Sequence, residues 1–553
     1  MKKSTITIIL SLGAAFALWS ADASACTNFL VTKKASADGS TFISYAADSH
    51  ELYGELYFTP GGKHLPGEMI DVIEWDTGKL LGQIEQAPET YTVVGNINEH
   101  QVSIGETTWG GRDELKKNIH PDAIIDYGSL MYLALQRART AREAIEVMSG
   151  LVEKYGYASS GESFSIADSR EVWFMDMIGK GKDDKGAVWV ARRIPDGYVS
   201  AHANQARIRE FPLGDKKNAL YAKDVISFAR EKGWHEGPDK DFSFADAYSP
   251  MTFAKLRFCE ARVWAFFRRV APSKDFGYEY VSGEGDHKPL PLWIKPDKKI
   301  SVRDMMELMR DHYEGTELDL SEGVGAGPFA LPYRWRPMVW EHEGKEYLNE
   351  RATSTQQTGF SFVAQMRSWL PDPVGGVLWF AVDDTFSTVY VPMYCGIKEA
   401  PEPYAVGTAD FEHFSWDSAF WVFNAVANLA YARYVDIIAD IQKVQRRLEG
   451  KFVGEQADVD RTAVKLLKSA PRTGINYLTR YSRKQAELTH DTWRDLWREL
   501  FVRYMDGNVR DSNGKVTHPP YPKAWYDRVV EEKGDFYRMR RLPGEPEPKK
   551  DDH

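Results

Sequence analysis

The chain has 553 residues, 43% of them hydrophobic and 27% charged, with a formal net charge of −10. Its 17 Trp, 27 Tyr and 27 Phe call for large packed cores and exclude a disordered or low-complexity chain. The acidic balance argues against a nucleic-acid partner, because phosphate binding needs a basic surface, and the length suits two or three domains or one large catalytic domain with an appendage.

The first 25 residues read differently from the rest. Lys2 and Lys3 form a short basic start, residues 6–19 are almost wholly apolar, and Ala23-Ser24-Ala25 places small residues where a signal peptidase needs them. These are the three parts of a secretory signal, and the apolar run is short for a membrane span. Residues 1–25 are therefore expected to be a signal peptide whose removal, with two Lys and one Asp, leaves a net charge of −11. The mature protein is expected to be exported, periplasmic or secreted, with no integral membrane span. Three cysteines occur, Cys26, Cys259 and Cys395. An odd number in an exported chain leaves at least one thiol free or shared between chains, and the apolar neighbours of Cys259 and Cys395 predict that both are buried or paired.

Alternating patterns predict strands at 27–32 and 41–45, joined by the turn Ala37-Asp38-Gly39-Ser40. Two more are expected at 91–96 and 101–106. A helix follows, because Ala141, Ala144, Ile145, Met148, Leu151, Val152 and Tyr155 recur at three- and four-residue spacing. Strands return at 163–167, 171–178, 187–192 and 198–202. Strands, helices, then strands again fit a layered α+β domain better than a βαβ repeat. Residues 215–315 mix helices with loops, and strands are expected again at 361–365, 377–381 and 387–392. From about residue 416 the pattern turns helical, with helices expected at 416–448, 459–484 and 492–505. Trp416, Phe420, Trp421 and Phe423 are expected to pack onto the preceding domain. The tail 541–553, rich in Pro, Glu, Lys and Asp, is expected to be disordered.

Cleavage after Ala25 would make Cys26 the first residue and give it a free α-amine. A thiol needs a base to become a nucleophile, and an N-terminal amine of pKa about 7.7–8 can take the thiol proton and return it to the leaving group. Two other readings of Cys26 stay open: a buried cysteine opening a strand, and a lipid-anchored surface protein acylated at this residue. The lipoprotein signal normally carries Leu where Ala23 stands.

The run Cys26-Thr27-Asn28-Phe29-Leu30-Val31-Thr32 through Ala37-Asp38-Gly39-Ser40-Thr41 resembles the start of mature dipeptidase A-like cysteine peptidases. These are N-terminal-nucleophile hydrolases, related more distantly to penicillin V acylases and bile-salt hydrolases. The resemblance continues in order through Val94-Gly95-Asn96-Ile97-Asn98-Glu99, Gly105-Glu106-Thr107-Thr108, Gly161-Glu162-Ser163-Phe164, Ala203-Asn204-Gln205-Ala206-Arg207, Arg310-Asp311-His312-Tyr313-Glu314-Gly315-Thr316 and Val377-Leu378-Trp379-Phe380. It implies a four-layer αββα sandwich over residues 26–405, followed by a helical C-terminal extension over 406–540. It also implies that Asp48 holds and orients the amine of the nucleophile Cys26. Asn98 and Asn204 are implied as donors to the tetrahedral oxyanion, a role a side-chain amide fills without ionising. Read alone, Asp48 fits a surface acid and each Asn a turn cap. Arg262 aligns with an active-site arginine of the wider superfamily, although its position equally suits a helix surface. One position departs from the pattern: many such dipeptidases carry Arg three residues before the Asp, and here Tyr45 stands there. Permanent positive charge must then come from elsewhere.

Other signals are weak. Asp311-His312-Tyr313-Glu314 and Glu341-His342-Glu343 lack the spacing of a metal-binding helix. Gly323-Val324-Gly325-Ala326-Gly327-Pro328 lacks the Lys of a phosphate loop, and no Gly-x-Ser-x-Gly elbow occurs. The expectation is an exported cysteine dipeptidase that hydrolyses small peptides through a thioester and needs no cofactor or metal. Another small amide, such as an N-acyl amino acid, a bile-salt conjugate or penicillin, is the alternative substrate.

Overall fold

The computed structural model describes residues 26–116, 119–284 and 288–544. The expected signal segment 1–25 and the tail from 545 onward lie outside them. Fifteen strands build two antiparallel sheets: β1 (Asn28–Val31), β2 (Thr41–Asp48), β3 (Phe58–Thr59), β4 (Val93–Val94), β5 (Ile97–Asn98), β6 (Ser103–Gly110), β7 (Gly161–Ala167), β8 (Val172–Gly179), β9 (Ala187–Arg193), β10 (Val199–His202), β11 (Ala219–Tyr221), β12 (Trp293–Ile294), β13 (Thr358–Met366), β14 (Gly376–Val382) and β15 (Val391–Tyr394). The seven-stranded sheet runs β12-β10-β1-β2-β13-β14-β15, and the eight-stranded sheet β11-β9-β8-β7-β6-β5-β4-β3. The sheets stack where β1 and β2 cross β6 and β7.

This stacking follows from strands that are apolar or small on both faces. On β8, Trp173, Met175 and Met177 join one core cluster while Phe174 and Ile178 join the other, as a period of two requires. The first cluster includes α1 (Tyr127–Arg137) and α2 (Ala141–Tyr155), which cover the outer side of the eight-stranded sheet. Both helices begin on side-chain caps. Asp126 accepts from the Gly128 and Ser129 N–H groups, and Thr140 from Glu143 N–H, each cap contributing about 1 kcal/mol. The second cluster lies between the sheets and continues beneath α3 (Ala261–Val270), α4 (Val302–Leu308), α5 (Ala419–Ala430), α6 (Tyr434–Ser469) and α7 (Pro471–Tyr504).

Several expected elements change extent. The strand expected at 91–96 is instead β4 and β5, a tight hairpin turning at Gly95, whose φ of 56° favours glycine. The strand expected at 387–392 begins only at Val391, because Asp384 caps the preceding turn by accepting from Phe386 N–H and the Ser387 hydroxyl. The C-terminal helices expected at 416–448, 459–484 and 492–505 are redistributed. α5 ends at Ala430, and the chain then runs as a hairpin of two helices about 54 and 51 Å long. They are separated at Ala470, after which Pro471 opens α7 at a position where its missing N–H is harmless. The hairpin is keyed into the sheet by buried charges: Arg367 on Asp460, and Arg310 on Glu449, which also accepts from Tyr390 N–H. Among the described residues no helix is long and apolar enough to cross a membrane.

Candidate active site

The site forms at the start of β1, an inner strand of the seven-stranded sheet flanked by β10 and β2. Asn28 faces His202 of β10 on one side, and Leu30 faces Ile43 of β2 on the other. Two residues further back, the same antiparallel register brings Cys26 opposite Asn204, just past the end of β10. Asp48 closes β2 beside them. All three cysteines are buried and none is in a disulfide, and Cys26 alone lies among ionisable side chains from both sheets.

Its Sγ is 3.7 Å from the Tyr45 hydroxyl and 3.6 Å from Glu106 Oε1, and the Tyr45 hydroxyl donates to that same Oε1 at 2.5 Å. Burial, then the charges of Glu106 and Asp48, push the thiol well above its usual value. A thiol so raised keeps its proton at neutral pH, and any reaction at Sγ would need a base to take it.

Asp48 is fixed through both oxygens. Arg351 Nη2 donates to Oδ2 at 2.7 Å and the Thr358 hydroxyl to Oδ1 at 2.7 Å. Burial raises its carboxyl to about 6 although Arg351 and Thr358 both pull it down. Arg351 in turn is lowered to about 9 by burial and by Arg262. Arg351, which arrives from the loop before β13, thus brings a positive charge to the end of β2.

Arg262 is fully buried in the first turn of α3, directly after a π-helical segment (Leu256–Glu260) that interrupts the regular helix. Its guanidinium donates to Phe258 O at 2.7 Å, Cys26 O at 2.7 Å, the Thr27 hydroxyl at 2.8 Å and Asn204 Oδ1 at 2.8 Å. One side chain clamps the Cys26 carbonyl and the neighbouring Asn, a planar fork that a lysine could not reproduce. Asn204 has φ 59° and is held by that clamp; its Nδ2 donates to Thr108 O at 2.6 Å and keeps a second N–H available.

Asn98 is placed differently. Its Nδ2 donates to both Leu135 O and Ala138 O at 2.7 Å, and its Oδ1 accepts from His100 N–H and Val102 N–H at 3.0 Å. Every hydrogen-bonding position of that amide is occupied by main chain, tying the turn after β5 to the end of α1. The structure brings together Cys26, Asp48, Asn204 and Arg262 but does not bring Asn98 to them.

Glu106 and Glu162, together with Arg351 and Thr358, complete the surroundings without having been singled out from the sequence. Gly105 is what lets β6 approach: a Cβ there would lie 2.9 Å from Asn28 Nδ2 and 3.1 Å from Tyr45 Cβ. Beneath it, the Thr107 hydroxyl lies 2.8 Å from His202 Nδ1, and His202 Nε2 lies 2.7 Å from the Ser165 hydroxyl. Burial and Arg207 hold His202 well below its usual value, so this neutral ring links the sheets and carries no charge into the site. Among the described residues no group of three or more His, Cys, Asp or Glu side chains is placed to hold a metal ion.

The sequence profile of peptidase family C69 matches residues 25–59 and 65–447. The chain is 27% identical over 432 residues to a probable dipeptidase of Latilactobacillus sakei, covering 74% of this chain and 82% of that protein. A probable dipeptidase of Salmonella dublin is 27% identical over 399 residues, 68% of this chain and 82% of that one. Probable dipeptidase B of Streptococcus pyogenes serotype M1 is 22% identical over 495 residues, 87% of this chain and 93% of that one.

Proposed function

Because the chain belongs to peptidase family C69, we propose that it is an exported dipeptidase whose nucleophile is Cys26, exposed as the N-terminal residue by cleavage after Ala25. The observation that carries this reading is the set of contacts converging on Cys26: Sγ beside Tyr45 and Glu106, its carbonyl on Arg262, and Asp48 at the adjoining strand end. The two stacked sheets with helices on both outer sides support the finer assignment to the αββα sandwich of N-terminal-nucleophile hydrolases. The names of the relatives support small peptides as substrates.

In this mechanism the α-amine of Cys26 takes the thiol proton as Sγ attacks the scissile carbonyl. The proton then passes to the departing amine, leaving a thioester that water hydrolyses. Ionised Asp48, pinned by Arg351 and Thr358, orients the α-amine. Arg262 holds the Cys26 carbonyl and turns Asn204 so that its remaining Nδ2–H can meet the oxyanion. Asn98 has no donor left for that task. Cys26→Ala is expected to abolish dipeptide hydrolysis while leaving the circular-dichroism spectrum and export unchanged; undiminished cleavage of a dipeptide panel by that variant would refute the assignment.

A further inference from the structure

Two carboxyls, Glu106 and Glu162, lie buried beside Cys26. Glu106 Oε1 is 3.6 Å from Sγ and accepts from Tyr45. Glu162, fully buried beside Glu106 and Thr108, leaves both carboxyl oxygens without a well-formed hydrogen bond. Asp76 adds a further acid whose charge reaches both carboxyls. Among the described residues neither Glu106 nor Glu162 is in an ion pair. Burial and the charge of Glu106 hold Glu162 well above its usual value, so Glu162 keeps its proton, and Glu106, whose ionised form is favoured by hydrogen bonds from Glu162 and Tyr45, is the carboxylate that can meet a cation on the substrate.

The covalent geometry of a dipeptide says which group that is. Its amino nitrogen lies about 2.5 Å from the scissile carbonyl carbon, and that carbon approaches Sγ to about 3–3.5 Å before attack. The nitrogen must therefore fall within about 6 Å of Sγ, on the acyl side of the scissile bond. A carboxylate oxygen 3.6 Å from Sγ can accept a charge-assisted bond from it at ordinary length while the carbonyl stays in line.

We propose that Glu106, backed by Glu162, is the subsite for the free α-ammonium group of the substrate's N-terminal residue. This rests on the dipeptidase reading and deepens it. It assigns the preference for an unblocked N-terminus to one carboxylate and disfavours neutral acyl groups such as those of bile-salt conjugates and penicillins. Tyr45 fits the same role, since its hydroxyl steadies Glu106 without neutralising it as an arginine would.

The test compares one neutral dipeptide with its N-acetyl and its desamino analogues, on wild type, Glu106→Gln and Glu162→Gln. Wild type is expected to lose roughly 10- to 100-fold in kcat/KM when the ammonium is removed from the substrate. Glu106→Gln is expected to lose the preference itself: its ratio of kcat/KM on the free dipeptide to that on the blocked analogues should fall roughly 10- to 100-fold below the wild-type ratio, whatever common change it makes on all substrates through the thiol. Equal losses on free and blocked substrates would overturn the proposal, since Glu106 would then act on the thiol and not on the substrate. A wild type indifferent to the ammonium would overturn it without any variant having to fold. Either result leaves the dipeptidase reading standing as long as wild type cleaves the free dipeptide; absence of that cleavage removes the dipeptidase reading itself.

Discussion

Replacing Arg351 by Gln should move the acid limb of catalysis. In the proposed mechanism ionised Asp48 orients the Cys26 amine, so kcat/KM should rise with pH as its carboxyl, raised to about 6, loses its proton. Arg351 Nη2 lies 2.7 Å from Asp48 Oδ2 with both side chains buried, and favours the ionised form. An opposite charge at that range lowers a carboxyl by about 1–3 units, so its loss should carry Asp48 to roughly 7–9. That corresponds to about 1.4–4 kcal/mol of differential stabilisation. The assay is kcat/KM for one dipeptide from about pH 5 to about pH 9, and the limb should shift upward by at least about one unit. Stability supplies a second reading with a definite sign. The folded pKa of about 6 lies above the ordinary 3.8. The contribution of Asp48 is therefore full below about pH 4 and is lost as pH rises through about 6. In Arg351→Gln the loss should extend upward by the same one to three units, visible as a steeper fall in unfolding midpoint toward alkaline pH. An acid limb that stays in place in a folded Arg351→Gln protein would refute the role given to the pair.

The same geometry predicts the behaviour of three further variants. Asn204→Ala should lower kcat by about 10²–10³ with little change in KM, as loss of an oxyanion donor does. Asn98→Ala should instead destabilise the fold through four orphaned main-chain groups and leave the turnover of the folded fraction unchanged; steady-state kinetics beside urea titration separates the two. Gly105→Ala would place a Cβ 2.9 Å from Asn28 Nδ2 and 3.1 Å from Tyr45 Cβ. It should cost about 1–3 kcal/mol in denaturant unfolding and reduce activity by moving Tyr45 against Glu106.

Much of this was legible in the residues. Strands β1, β2, β7, β8, β9 and β10 were readable because alternation and turn chemistry are local, and α2 because its apolar positions recur at helical spacing. Cys26 drew attention because it directly follows Ala25, whereas Asp48 was reached only through the family resemblance that begins in residues 26–41. The long hairpin was not. α6 and α7 bury Gln445, Glu449, Asp460, Ser482, Gln485 and Thr489, which blurs an apolar period although each polar group faces the core. Arg351, Glu106 and Glu162 escaped notice for another reason. Their meaning arises only when the sheets stack and the loop before β13 folds back, bringing residues 80 to 303 positions apart into contact. Asn98 and Asn204 could not be ranked by residue type, since only the main chain around each decides whether its amide has a hydrogen left to donate.

The central claim is that Cys26 is the first residue of the mature protein and carries the acyl group. Mass spectrometry of the exported protein, quenched during turnover of a dipeptide and digested, tests both parts at once. The account predicts an N-terminal peptide beginning at Cys26 with a free α-amine, a fraction of it bearing the substrate's N-terminal aminoacyl group. A peptide beginning elsewhere, a diacylglyceryl adduct on Cys26, or an acyl group on another residue would contradict it.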